Sequence, residues 1–148
     1  MQGKLPLIVA SVAGSLAIAI VAVDLQFGLE AQLQQPDGDG WESVASSTDE
    51  YYRGSGCAGP ELRLHVENHR FVATQVPVLV TYWSLSQGRV TVLDETWDMA
   101  RGEVRDHDFT IPADAFEAAD GEKPPAGSIS VDVQVRGQYF GVCVQEAA

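Results

Sequence analysis

Apolar and polar positions follow two different rules along this chain. Residues 5–23 (LPLIVASVAGSLAIAIVAV) form an unbroken run of apolar or small side chains between Lys4 and Asp24, whereas from Glu61 onward the pattern alternates with period two. A helix over the first run covers roughly 28 Å at about 1.5 Å per residue, close to the ~30 Å hydrocarbon thickness of a bilayer. The run therefore reads as a transmembrane helix in contact with membrane lipid. Pro6 sits in its first turn, where a missing N–H is tolerated. Lys4 precedes the run and the first basic residue after Asp24 is Arg53. That bias predicts a cytoplasmic N-terminus and places residues 24–148 outside the cell membrane. Ala10 and Gly14, Ser11 and Ser15, and Ala13 and Ala17 are small pairs four apart, a spacing that would let two copies of the helix associate. The competing reading is a cleaved signal peptide, which calls for a shorter apolar region and a small residue where Ile20 stands, two positions before Ala22.

Residues 24–60 show little periodicity and many breakers. Gln32, Gln34 and Gln35 lead into Pro36-Asp37-Gly38-Asp39-Gly40, followed by Ser46-Ser47-Thr48 and Gly54-Ser55-Gly56. This composition predicts a stalk, with a short helical extension of the anchor through Gln35 and a short strand near Trp41. The expected organisation is thus an anchor over residues 1–23, a stalk over 24–60 and one β domain over 61–148.

Within that domain Leu62, Leu64 and Val66 alternate with Arg63, His65 and Glu67, the signature of a half-buried strand. Asn68-His69-Arg70 supplies the turn that ends it. Residues 74–83 (TQVPVLVTYW) are apolar on most of both faces and predict a buried strand, with Pro77 pointing to an edge or a bulge. After Gln87-Gly88, residues 89–97 form a strand in which Val90 and Val92 give way to Leu93 and Trp97 across a bulge. Beyond Gly102, His107, Phe109 and Ile111 line one face of the next strand, which stops at Pro112. A single helical turn is expected within 113–119, then a loop to Gly127.

Residues 128–136 place Ile129, Val131, Val133 and Val135 on one face. Gly137-Gln138 suits a two-residue hairpin turn that pairs Val135 with Phe140, Val133 with Val142 and Val131 with Val144. That register puts Cys143 opposite Asp132 and on the outer face. Six short strands without a full amphipathic helix predict an antiparallel β-sandwich.

The 148-residue chain has a formal net charge of −12, and all 21 acidic residues but only eight of the nine basic ones lie from Asp24 onward. Such a surface repels nucleic acid and anionic headgroups. Cys57 and Cys143 both lie beyond the predicted membrane span. In an oxidising compartment the pair reads as a disulfide, the alternative being two independent buried thiols.

The segments LHVENHRFVATQVPVLVTYW, VTVLDETW, FTIP and AGSISVDVQVRGQYFGV resemble, in that order, immunoglobulin-like domains of prokaryotic, including archaeal, membrane-anchored surface proteins. The resemblance covers residues 61–146 and implies an immunoglobulin-like sandwich. The Cys57, Trp83 and Cys143 spacing departs from that of antibody domains. A membrane helix followed by such a sandwich is also similar to stator-like subunits of archaeal swimming filaments.

Motifs that carry chemistry are sparse. Gly54-Ser55-Gly56-Cys57-Ala58-Gly59 has G-x-G-x-x-G form but is followed at once by Pro60 and has no βαβ context, so it reads as a loop. Asp37-Gly38-Asp39-Gly40 begins like a calcium loop, but the twelfth position is Thr48, so it reads as a turn. His65, His69 and His107 show no close metal-ligand spacing with Cys57, Cys143 or Met99, and no metal or other cofactor is expected. No nucleophile elbow occurs in the outer part. Asp94, Glu95, Asp98, Asp106 and Asp108 form an acidic stretch expected to span adjacent strands. Tyr51 and Tyr52, beside Cys57, are the aromatics expected to be exposed.

The sequence therefore predicts a non-catalytic, single-pass membrane protein whose outer domain binds or supports another envelope or surface protein. Tyr51, Tyr52, Asp94, Glu95 and Asp98 are its candidate partner surface. The alternatives are an accessory subunit of a filament or pilus machine, and an extracytoplasmic metal carrier or enzyme.

Overall fold

The computed structural model describes residues 28–47, 56–118 and 127–146. The apolar run at 5–23 and the pair Tyr51 and Tyr52 lie outside these residues. No helix among the described residues is long and apolar enough to cross a membrane.

Among the described residues, eight strands form two antiparallel four-stranded sheets packed as a sandwich: β1 (Leu29–Asp37), β2 (Gly40–Ser46), β3 (Glu61–Asn68), β4 (Thr74–Ser84), β5 (Gly88–Met99), β6 (Val104–Thr110), β7 (Ser128–Val135) and β8 (Gln138–Gln145). The first sheet has the order β2-β1-β3-β6 and the second β5-β4-β7-β8. Alternating side chains from both sheets meet between them. Leu33, Leu62, Leu64 and Val66 face Val76, Val78, Val80, Val131, Val133 and Phe140, each at most 2% exposed. A 3₁₀ turn, Ala113–Phe116, adds Ala115 and Phe116 to the same core.

The sandwich begins at Leu29, within the segment expected to be a stalk. Leu29, Ala31 and Leu33 are buried and alternate with half-buried Glu30, Gln32 and Gln34, so the glutamine-rich stretch is a strand and not a helical extension. Gln and Ala favour helix weakly on their own, but here β1 is hydrogen-bonded on both sides, by β2 and β3. Asp37 pairs with Gly40 around a two-residue loop in which Gly38 has φ 60°, so the Asp-Gly-Asp-Gly motif is a hairpin turn. Trp41 lies in β2, as expected.

The bulge in β5 is present. Val80 pairs with Leu93 and Thr81 with Thr91, leaving Val92 as the extra residue. Pro77, expected at an edge or a bulge, lies instead in β4, an inner strand, away from the register shift at Val80/Thr81. Its carbonyl accepts from Arg136 N at 2.9 Å, so its nitrogen faces the β7–β8 turn, where no ladder donor is needed. The second face of β4 is more open than its composition suggests, because Pro77 is exposed and Trp83 is 52% exposed.

The last hairpin is shifted by two residues from the expected register. Its loop is Arg136-Gly137, with φ 46° and 82°, and it pairs Val135 with Gln138, Val133 with Phe140 and Val131 with Val142. Positive φ at both loop positions gives the turn a twist that matches the flanking strands. Cys143 therefore stands opposite Ser130, not Asp132. An even shift leaves every side chain on its expected face.

Candidate functional site

Strand β3 presents Arg63, His65 and Glu67 on the outer face of the first sheet, because Leu62, Leu64 and Val66 occupy the buried face. Its two neighbours complete three rungs. Gln34 and Asp108 flank Arg63, Gln32 and Asp106 flank His65, and Glu30 and Val104 flank Glu67.

The rungs are joined by short polar contacts. Arg63 donates to both oxygens of Asp108 at 2.6 and 3.0 Å, and its guanidinium lies 4.0 Å from the centroid of the Trp41 ring. His65 contacts Asp106 Oδ1 through Nδ1 at 2.5 Å and Glu67 Oε1 through Nε2 at 3.0 Å. Glu67 Oε2 lies 2.7 Å from His69 Nε2, which is 3.6 Å from Glu30 Oε2. Along β1, Gln34 donates to Gln32 and Gln32 to Glu30.

These contacts set the local electrostatics. Burial works against the charged form of His65, but the hydrogen bonds to Glu67 and Asp106 outweigh it and hold the pKa above its ordinary value. Hydrogen bonds from His65 and His69 hold the Glu67 carboxyl below the usual range. The hydrogen bond from Arg63 does the same for Asp108.

His69 owes its position to its neighbour. Asn68 is wholly buried; its Nδ2 donates to the carbonyls of Ala100 at 3.0 Å and Met99 at 3.1 Å, and its Oδ1 accepts from Arg70 N at 3.1 Å. His69 N donates to Gly28 O at 2.7 Å. The turn after β3 is thereby fastened to the start of β1 and to the end of β5.

Cys57 and Cys143, 86 residues apart in sequence, form a disulfide with a Cα–Cα distance of 4.8 Å. It lies outside the core. Ala58 runs parallel to β8, donating to Cys143 O and accepting from Gln145 N, both at 2.9 Å. The G-x-G-x-x-G motif thus ends in a bridge along an outer strand.

Asp94, Glu95 and Asp98 are exposed on β5, the edge strand of the second sheet. Glu95 accepts from Trp97 Nε1 at 2.9 Å. Asp106 and Asp108 are on β6 in the other sheet, so the acidic stretch read from the sequence is divided between the two layers. His107 stands apart from the other histidines and stacks on Phe109 with centroids 6.3 Å apart.

The site that sequence reading missed is the one around Glu67. Among the described residues, Glu30, Glu67 and His69 bring carboxylate and imidazole donors within 4.8 Å of one another. The available signal was the alternation His65-x-Glu67-x-His69, which carries two histidines and a carboxylate toward one face. Glu30 was hidden by the assignment of its strand to a stalk.

No family model and no curated protein matches the chain. Several solved structures share part of its form, two β-glucosidases among them. A β-glucosidase of Erythrobacter marinus is 18% identical with a TM-score of 0.43, over 59% of this chain and 13% of the enzyme. A mutant β-glucosidase of Listeria innocua in complex with laminaribiose is 17% identical with a TM-score of 0.41, over 62% of this chain and 15% of the enzyme. The chain thus spans a small fraction of these enzymes, and a likeness of this degree carries no argument about its activity.

Proposed function

We propose that the chain is a membrane-anchored module whose β-sandwich stands outside the cytoplasmic membrane, where it binds or structurally supports another envelope or surface protein without catalysing a reaction. The observation that carries this reading is the Cys57–Cys143 bond. Disulfides persist in oxidising compartments and are rare in the cytosol, and both cysteines follow the apolar run at residues 5–23.

The sandwich is read as immunoglobulin-like on its strand order. If β1, β3 and β6 stand for strands A, B and E, then β5, β4, β7 and β8 stand for C′, C, F and G, and β2 is an addition at one edge. The partner surface is read on β5. Asp94 and Glu95 rim an open recess of about 380 Å³ whose floor includes Pro77 and Leu79. An apolar floor with Asp94, Glu95 and Arg136 around it suits a polypeptide segment of mixed charge whose basic side chains meet the two carboxylates.

The test is the mass of the membrane-extracted, full-length protein, measured with a thiol-blocking reagent before and after reduction. The expected result is an intact Met1 and two cysteines that react only after reduction. A chain beginning near Val23 would mean a secreted domain, and cysteines alkylated without reduction would overturn the extracytoplasmic reading. Copurification then asks for a stable envelope partner that is lost on charge reversal of Asp94 and Glu95.

A further inference from the structure

We propose that Glu30, Glu67 and His69 form a binding site for a divalent first-row transition ion, with Zn²⁺ as its representative, on the outer face of the first sheet. This inference is independent of where the domain resides.

The donor spacing fits such an ion. Ligands at about 2.0–2.2 Å from a tetrahedral zinc stand about 3.3 Å from one another. His69 Nε2 lies 2.7 Å from Glu67 Oε2 and 3.6 Å from Glu30 Oε2, on either side of that spacing. All three donor atoms lie within 4.8 Å of one another, and an ion would draw them to that spacing by side-chain rotation. His69 is 55% exposed at its side chain, so the remaining coordination positions open to water.

The donors are also held from behind. Glu30 and Glu67 pair directly across β1 and β3, and the backbone of His69 is bonded to Gly28 beside them. Asn68, buried and bonded on both ends of its amide, fixes the turn that carries His69. Glu67 has its Oε1 engaged by His65, and His65 is engaged in turn by Asp106, which leaves Oε2 directed at His69. Outer partners of this kind set ligand orientation in metal sites.

Charge and donor type narrow the ion. Glu30, Glu67 and Asp106 place three carboxylates around two histidines in a chain of net charge −12, a setting that a dication relieves. Calcium takes six to eight oxygens, whereas an imidazole nitrogen among carboxylates suits zinc, cobalt, manganese or iron.

The test uses the full-length chain extracted in detergent, without a histidine tag and stripped with a chelator. Cobalt(II) is titrated by visible absorption and zinc by competition with a chromophoric chelator. One ion per chain is expected, with d–d bands for cobalt. His69→Ala and Glu30→Gln should each weaken zinc at least about tenfold, and Asp106→Asn, acting through His65, about tenfold. His107→Ala should leave affinity unchanged. His69 and Glu30 are surface side chains, and retention of the β-sheet circular dichroism verifies that their variants fold. Failure to saturate with zinc by about 1 mM, or an affinity unaltered by His69→Ala in the folded protein, would overturn the site.

Discussion

Gly141 on β8 stands directly opposite Asp132 on β7, and the pair leaves little room for a larger residue. A Cβ built on Gly141 would come to 3.0 Å from both Asp132 Oδ1 and the backbone carbonyl of Val131. The carboxylate can rotate, but the carbonyl belongs to a central strand and cannot easily withdraw. Gly141→Ala is therefore expected to destabilise the domain by about 1–2 kcal/mol, despite the usual gain from replacing a strand glycine. Urea denaturation of the variant beside the parent protein measures the difference.

The turn that sets this register contains a strained residue. Arg136 has φ 46°, a conformation that asparagine tolerates better than arginine. Arg136→Asn should stabilise the hairpin by about 0.5 kcal/mol, the scale of a relieved backbone mismatch. A higher urea midpoint with an unchanged slope is the expected result, and a lower midpoint would show that the arginine side chain contributes more than its backbone costs.

Cross-linking across 86 residues restricts the unfolded chain. On the chain-entropy account the Cys57–Cys143 bond contributes about 4 kcal/mol. Cys57→Ser with Cys143→Ser should lower stability by that order while leaving the β-sheet circular dichroism in place. The amides of Ala58 and Gln145, which join the bridged segment to β8, should lose hydrogen-exchange protection before those of β3 and β7.

Asp108 reports on the outer ladder through pH. The hydrogen bond from Arg63 holds its carboxyl below the ordinary 3.8, so the folded state binds this proton less readily than the unfolded state. The stabilisation is present above the unfolded value and is lost as pH falls through the lower, folded one. Asp108→Asn should therefore be less stable than the parent at pH 6, and the two should converge below about pH 4. Because the pair is exposed, the difference should also shrink in high salt. A gap that persists at low pH would assign the effect to packing on Trp41 instead.

Local pattern accounts for what was legible at the outset. The alternations over 62–67, 76–82 and 129–135 specify which side chains face inward, since period two is a property of each strand alone. The bulge at Val92 was visible as a break in that period. Even the last hairpin, misread by two residues, kept its faces, because the side-chain period absorbs an even slip.

The sequence by itself determined an all-β domain, the inward faces of β3, β4 and β7, and the outward face of Cys143. Tertiary structure alone decided the rest. Whether residues 29–46 form a stalk or a hairpin depends on β3, which offers β1 a hydrogen-bonded edge 29 to 39 residues away. Whether Asp98 and Asp106 share a surface depends on the chain crossing between sheets after β5. Glu30 meets Glu67 and His69 for the same reason: strand pairing joins residues by register, and register between distant strands is a property of the assembled sheet.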